Sequence, residues 1–514
     1  MTSTYTYFVL LLLLCAGASH AQEFDPDTLM VTESQTWIED LMMDALPGSS
    51  VLVRTGAGHE ITGMRAVLDH PTVHGGLLQS AALGEHPLWW AGLRGHAWTL
   101  TAGDVTAEAG FGTLLSAARG MGRSRLLPAR PLRKIAPGVH SQSVRGGVGG
   151  MRGLAAACQL DTQTVGRIMI GRLDNADVSA AWLESRLLGA LSCVTFLVRR
   201  DTQGIAPALA VSIGEQFGPV EAGCEIVLDA LMRPALQALL AVRSTMAPTS
   251  LSLWFAPAAC DLPMGSVWAT SEPMSNTWGA MLRQRVSVRA LATLRLSACV
   301  YGRPWRTRLL PMASVGMDVI ADVEQRVTQR LVAEWRLRHR YDEDGRTDGL
   351  RRQMQRNLWS ARIRLRRNVT RELDVRANID LRALRHGHEA WSYGTFGWID
   401  ACWRSGTSVV VRLRAGVFAA ESSDVAVASV EYASQGLQTV VRGLGWGRRA
   451  SFGGEWTVPG VATIAVQASA ESRLYDGELR NDVRLRLSAG LFGAFFGLSR
   501  DGASPANDMR ELHE

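Results

Sequence analysis

The side chains with chemistry to offer are carboxylates, histidines and arginines placed at even spacing along short stretches. Asp374 and Asp380 both fall in the segment R-E-L-D-V-R-A-N-I-D-L-R (371–382), and a pair of carboxylates is what general acid–base catalysis would use. They are interleaved with Arg376 and Arg382, however, so ion-pair ladders on one strand face account for them without a reaction. His386-Gly387-His388 brings two imidazoles close together, but no third ligand stands nearby, and a solvent-exposed loop is the simpler reading. Gly56-Ala57-Gly58 follows an apolar run, yet a dinucleotide loop would need its third glycine where Ile61 stands, so a strand-end turn fits better. The chain contains no G-x-S-x-G elbow, no H-E-x-x-H and no G-x-x-x-x-G-K-[ST]. The sequence therefore points to no enzyme, no cofactor and no metal site.

Seven cysteines occur, and six follow the N-terminal stretch: Cys158, Cys193, Cys224, Cys260, Cys299 and Cys402. No two form a C-x-x-C pair, which removes local support for zinc or redox chemistry. Five of the six sit in apolar or alternating runs, where small buried or lipid-facing thiols are favoured over disulfides.

Of the 54 basic residues, Lys134 is the one lysine. Genome base composition explains such a bias, and so does the use of guanidinium forks for carboxylate or phosphate contacts inside a channel. Arg119, Arg123, Arg125, Arg130, Arg133 and Lys134 fall together in a segment, 112–145, that interrupts the surrounding pattern. Folded inward, that insert would form a positive constriction for anions; folded outward, it is a solvated loop, or else an inert plug.

Positioning these residues requires a strand, because the pattern has period two. Leu373, Val375, Ala377, Ile379 and Leu381 fall on one face, opposite Glu372, Asp374, Arg376, Asn378, Asp380 and Arg382. The same alternation is read over 285–296, with Leu291 the exception, over 330–338, over 409–417 and over 483–491. It persists for roughly 9–12 residues, the length a tilted strand needs to cross a membrane. The segments 366–370 and 404–407 read as tight turns, and 341–349 as a long acidic loop. Aromatics near run ends, at Trp89, Trp90, Trp391, Tyr393, Trp398, Trp403, Trp446 and Trp456, suit girdles at the membrane boundary.

The expected fold is an all-β, antiparallel, transmembrane barrel of the outer membrane. At ~20–24 residues per strand and connection it holds roughly 18–22 strands. The expected division is a signal peptide over 1–21, a short pre-barrel segment over 22–48 with a helix across Thr36 to Leu46, the barrel over 49–500, and a polar tail over 501–514. The apolar run Phe8–Leu14 and the small residues of Ser19-His20-Ala21 are the basis for export. A soluble secreted β-sandwich is the competing architecture, since it alternates too.

Residues 88–182 resemble a known family. Trp98 to Leu115 matches the hairpin pattern "GD-x-x-x-x-x-G-x-G-L" through Gly103, Asp104, Gly110 and Gly112, with Leu114 one place after the position of its Leu. Gly120-Met121-Gly122-Arg123-Ser124, then His140-Ser141, and the turn-like Arg152-Gly153 within Met151–Ala156 follow in the same order, and Asp174 to Asp177 is similar to its "DA" turn. This pattern is similar to that of large β-barrel proteins of Bacteroidota-type bacteria, often described as helix-hairpin-helix domain-containing. Phe111 replaces the usual Gln, Thr113 the usual Leu, and only Leu46-Pro47-Gly48 echoes the helix-hairpin-helix part. The resemblance implies a barrel in the outer membrane and leaves a DNA-binding role without its module.

Two function classes follow. The first is a non-enzymatic wall, structural or porin-like, with an arginine-rich lumen, whose partners are outer-membrane lipid, the barrel-assembly machinery that inserts it, and anionic solutes. The second is an interaction component of secretion or DNA uptake. The composition, with pI near 9.1 but no basic arm, argues against nucleic acid as a partner.

Overall fold

In the computed structural model the described residues lie between 50 and 492. Within that span 57–62, 70–72, 80–87, 110–113, 115–137, 142–150, 263–275, 306–311 and 347–351 are left out, with one to three residues at several other turns. The signal peptide, the helix expected across Thr36 to Leu46 and the polar tail lie outside the described residues.

Among the described residues there is no helix, and none is long and apolar enough to cross a membrane. The described residues form one antiparallel sheet of 25 strands and a separate sheet of two. Nearly every strand pairs with its neighbours in sequence, and the first strand, Ser50–Gly56, pairs with the last, Glu478–Phe492, through the register from Ser50↔Phe492 to Gly56↔Arg486. That pairing closes the sheet into a barrel, which leaves no open edge.

Twenty of the strands have eight residues or more, within the 18–22 read from the pattern. Five shorter ones raise the total: Ser50–Gly56, Gly63–Asp69, Val73–Gln79, Leu88–Arg94 and Gly138–Ser141. The last of these lies within the expected insert. It pairs with Val105–Glu108 just beyond the point where Met151–Gln159 pairs with Trp98–Val105, so the two make one interrupted strand.

Three local readings are corrected by the register. Residues 285–296 are not one strand: Thr277–Val288 and Ala292–Arg303 form a hairpin, and Leu291, the exception to the alternation, sits in its turn with its N–H donated to the Val288 carbonyl. The acidic segment from Tyr341 is strand as far as Arg346, because the facing strand Arg352–Asn368 extends to meet it, with Asp342 opposite Arg356 and Glu343 opposite Gln355. The turn expected at 366–370 moves to 369–372, since Arg366, Arg367 and Asn368 still pair with Arg376, Val375 and Asp374. The turn near Gly406 stands where it was read, and its glycine takes φ +57.

The burial pattern is inverted relative to a soluble sheet. Along Gly204–Phe217, Ile205, Leu209, Val211, Ile213 and Phe217 are exposed, while Ala208, Ala210 and Ser212 are buried. Along Leu373–His386, Ile379 and Leu381 are exposed, while Asp374, Asn378, Asp380 and Arg382 are buried. Large apolar side chains thus point away from the barrel, and small, polar or charged ones point into it. The inner face changes character around the ring. From Trp98 to Gly302 it carries a continuous cluster that includes Met151, Met169, Trp182, Leu197, Leu239, Trp254 and Met281. Ala109 and Leu114, beyond Trp98–Glu108, and Cys260 and Leu262, beyond Thr249–Ala256, belong to the same buried cluster.

Candidate functional site: a charged inner wall and an inward hairpin

From Ala292 onward the inner face is built from ion pairs, and the strand period explains their order. Every second residue faces inward, so Asp322 stands directly opposite Arg336, while Arg338, opposite Ile320, reaches diagonally to Asp318. One register row runs Arg295, Asp322, Arg336, Arg362, Asp380 across five strands. Within it Arg336 grips Asp322 with both Nε and Nη2, at 2.5 and 3.0 Å, and Arg362 pairs with Asp380. Neighbouring heights add Arg295 with Glu324, Arg364 with Glu334 at 3.3 Å, and Arg376 with Asp374 at 2.9 Å. Further round, Arg414 meets Asp400 at 3.5 Å and Arg449 meets Glu471 at 3.0 Å. The most enclosed pair is Arg338–Asp318, a two-armed contact at 3.0 and 2.9 Å with both side chains buried.

The ladder read from Asp374 and Asp380 is therefore present, and it is more fully compensated than the sequence suggested. Asp318, Asp322, Glu324, Asp400 and Glu471 were not singled out, although the even spacing of Asp318, Asp322 and Glu324 on one strand carries the same signal as 371–382. Of the arginines read as inward, Arg289 and the side chains of Arg484 and Arg486 lie outside the described residues, and Arg330 sits exposed in a turn.

A second feature had no sequence signal. After Val409–Ala420 the chain does not return directly to the wall but forms a separate two-stranded hairpin, Val427–Ser434 with Leu437–Gly443. Its leading residues Val425, Ala426 and Val427 are fully buried, and they pack on the inward side chains Leu358, Leu384, Phe396, Trp398 and Phe418. Two wall arginines hold it: Arg382 donates to the Ala426 carbonyl at 3.2 Å, and Arg414 donates to Ser429 Oγ at 3.4 Å. Arg414 also lies 4.1 Å from the ring centroid of Trp398. Glycine permits the approach, since a Cβ at Gly394 would stand 2.1 Å from the Val425 carbonyl oxygen. Trp398, grouped by sequence with the boundary aromatics, is thus an inward residue; Trp89, Tyr393, Trp403, Trp446 and Trp456 are exposed outward.

His386 is corrected as well. It is the last residue of its strand and is buried on the inner face, its Nε2 3.8 Å from Asp424 Oδ2, while His388 is exposed in the following turn. The strand parity that places Asp380, Arg382 and Leu384 inward carries His386 with them. Among the described residues no group of three His, Cys, Asp or Glu could hold a metal. None of the six described cysteines is joined in a disulfide, and four of them are buried.

The family-like residues come together as a wall element. Gly103 is opposite Gly153 and Asp104 opposite Arg152. Asp104 accepts from Arg152 Nε at 3.0 Å and Nη2 at 3.1 Å, and from the Trp89 backbone N–H at 2.8 Å. The pair shares the outward parity of Trp98, Leu100 and Leu154, and Arg152 is half exposed, so it clamps neighbouring strands. Gly103 takes φ +111, and a Cβ there would reach 2.2 Å from the Trp89 carbonyl oxygen; a Cβ at Gly153 would reach 2.1 Å from that of Ile170. Leu114 is buried. Gly110, Gly112 and the basic set Arg119, Arg123, Arg125, Arg130, Arg133 and Lys134 lie outside the described residues.

No protein-family model matches the chain, and no curated protein sequence matches it. Among solved structures it is similar to the copper transporter OprC, at 8% identity and a TM-score of 0.45 over 86% of this chain and 81% of that one. It is similar also to the FrpB iron transporter from Neisseria meningitidis, at 7% identity and a TM-score of 0.43 over 88% and 82%. The outer membrane channel DcaP of Acinetobacter baumannii is another, at 10% identity and a TM-score of 0.31 over 57% and 86%.

Proposed function

We propose that this chain is a non-enzymatic barrel of the outer membrane, porin-like, with an arginine-rich lumen that admits anionic solutes. The inverted burial carries the reading: exposed Ile379 and Leu381 alternate with inward Asn378, Asp380 and Arg382, and only lipid outside with a polar interior makes both faces favourable. A soluble sandwich would place the same charges in water and the same apolar residues in its core. Export by the N-terminal signal, insertion by barrel-assembly machinery and contact with outer-membrane lipid belong to this proposal. Kinship with the helix-hairpin-helix-associated barrels belongs to it too, supported by the Gly103-Asp104 to Arg152-Gly153 pairing. The experiment is fractionation of cells that express the full chain. The protein should sediment with outer membranes and migrate faster on gels before boiling than after. Recovery in the soluble periplasmic fraction would refute it.

A further inference from the structure

One end of the barrel holds a basic cavity that the wall does not use. It measures about 290 Å³ and is lined by Arg330, Arg366, Arg371 and Arg404, with Thr370 and Asp374. Asp374 pairs with Arg366 at 3.5 Å and with Arg376. Arg330, Arg371 and Arg404 have no acidic partner among the described residues. Three uncompensated guanidiniums facing one cavity repel each other and attract a multivalent anion.

The end of the barrel identifies a candidate. Arg371 and Thr370 sit in the turn that opens Leu373–His386, and that strand lies six steps round the sheet from Ser50–Gly56. Neighbours are antiparallel, so an even number of steps sets the two strands in the same direction, and the chain enters the barrel at Ser50 on the same end as the cavity. The residues before it are strongly acidic. Segment 22–49 carries Glu23, Asp25, Asp27, Glu33, Glu39, Asp40 and Asp44, and no Lys, Arg or His. Six strand spacings of ~4.8 Å, lengthened by strand tilt, make roughly 30–40 Å of wall. The residues from Glu33 to Ser50 span up to ~55 Å when extended at about 3.3 Å each, so Glu33 and everything before it can reach.

We infer that the arginine cavity at the entry end of the barrel is the docking site of the chain's own acidic segment 22–49, through Glu23, Asp25, Asp27 or Glu33. Its seven carboxylates supply the countercharge that Arg330, Arg371 and Arg404 lack. The inference needs only the closed sheet and the charge pattern, and it stands whether or not the barrel conducts.

The test places a photo-crosslinking residue at Asn368, an exposed position lining the cavity, in the full-length protein extracted in detergent. Cross-linked peptides should map to 22–49. The yield should fall several-fold in D25N/D27N/E33Q, in R371E/R404E, and at high salt. Arg367→Glu, exposed on the outward face beside the cavity, should leave it unchanged. If R371E/R404E loses heat-modifiable migration, the acidic variants, which alter none of the described barrel strands, carry the comparison alone. Absence of cross-links to 22–49, or a yield indifferent to these charges, would overturn the inference. So would cross-links only to a second copy, or retention of phosphatidylglycerol vesicles by the arginines while the segment stays uncross-linked.

Discussion

Arg338 and Asp318 show what the inner wall requires of single side chains. Both are buried and joined by two hydrogen bonds, so removing one leaves an uncompensated charge. Arg338→Met alone should destabilise the barrel by about 3–5 kcal/mol, whereas Arg338→Met combined with Asp318→Leu should recover most of it. Urea midpoints in micelles measure both. Asp229, in the turn between Val220–Leu228 and Pro234–Val242, gives a pH dependence. Burial pushes its carboxyl upward, but the Arg233 side chain at 2.8 Å and the backbone N–H groups of Arg233 and Leu231 outweigh it and hold it below the usual carboxylate range. A depressed carboxyl stabilises the fold at pH values above its unfolded pKa, ~3.9, and loses that contribution as pH falls through the folded value. Wild type should therefore lose more stability than Asp229→Asn between neutral pH and acid, and an identical loss in both would refute the assignment.

At the scale of elements, the strands were more legible than the connections, of which the turn at Gly406 was read in place. Period two places Asp374 to Arg382 inward and Leu373 to Leu381 outward, and the register agrees. Leu291 marked a hairpin turn that hydropathy alone merged into one strand. The acidic run after Tyr341 resembled a loop because its charge suited one; the facing strand Arg352–Asn368 made it a strand. The hairpin at 427–443 gave no warning, because its inward path depends on Phe396, Trp398, Phe418, Arg382 and Arg414, which lie on three other strands. It narrows the interior where it stands. Replacing 427–443 with a short Gly-Ser link should raise single-channel conductance in planar bilayers while keeping heat-modifiable migration. Unchanged conductance would mean that the current path runs elsewhere.

The whole molecule sets the sign of any current. Inner acids compensate many arginines, yet Arg285 and Arg356 also face inward with no acidic partner among the described residues. A confined interior of low dielectric focuses that surplus. Under a salt gradient the barrel should therefore prefer anions, with a reversal potential of the corresponding sign. Cation preference would show that Asp318, Asp322, Glu324 and their counterparts dominate the path.

The sequence by itself determined which strand residues face outward and which face inward, because the strand pleat converts odd and even positions into two faces with no reference to the rest of the chain. It also determined that the inner charges would be arginines meeting carboxylates. Only the tertiary structure decided which carboxylate each arginine meets, that Ser50–Gly56 closes on Glu478–Phe492, and that a hairpin enters the interior. Those outcomes depend on register between strands and on contacts across hundreds of residues, and local hydropathy holds no information about either.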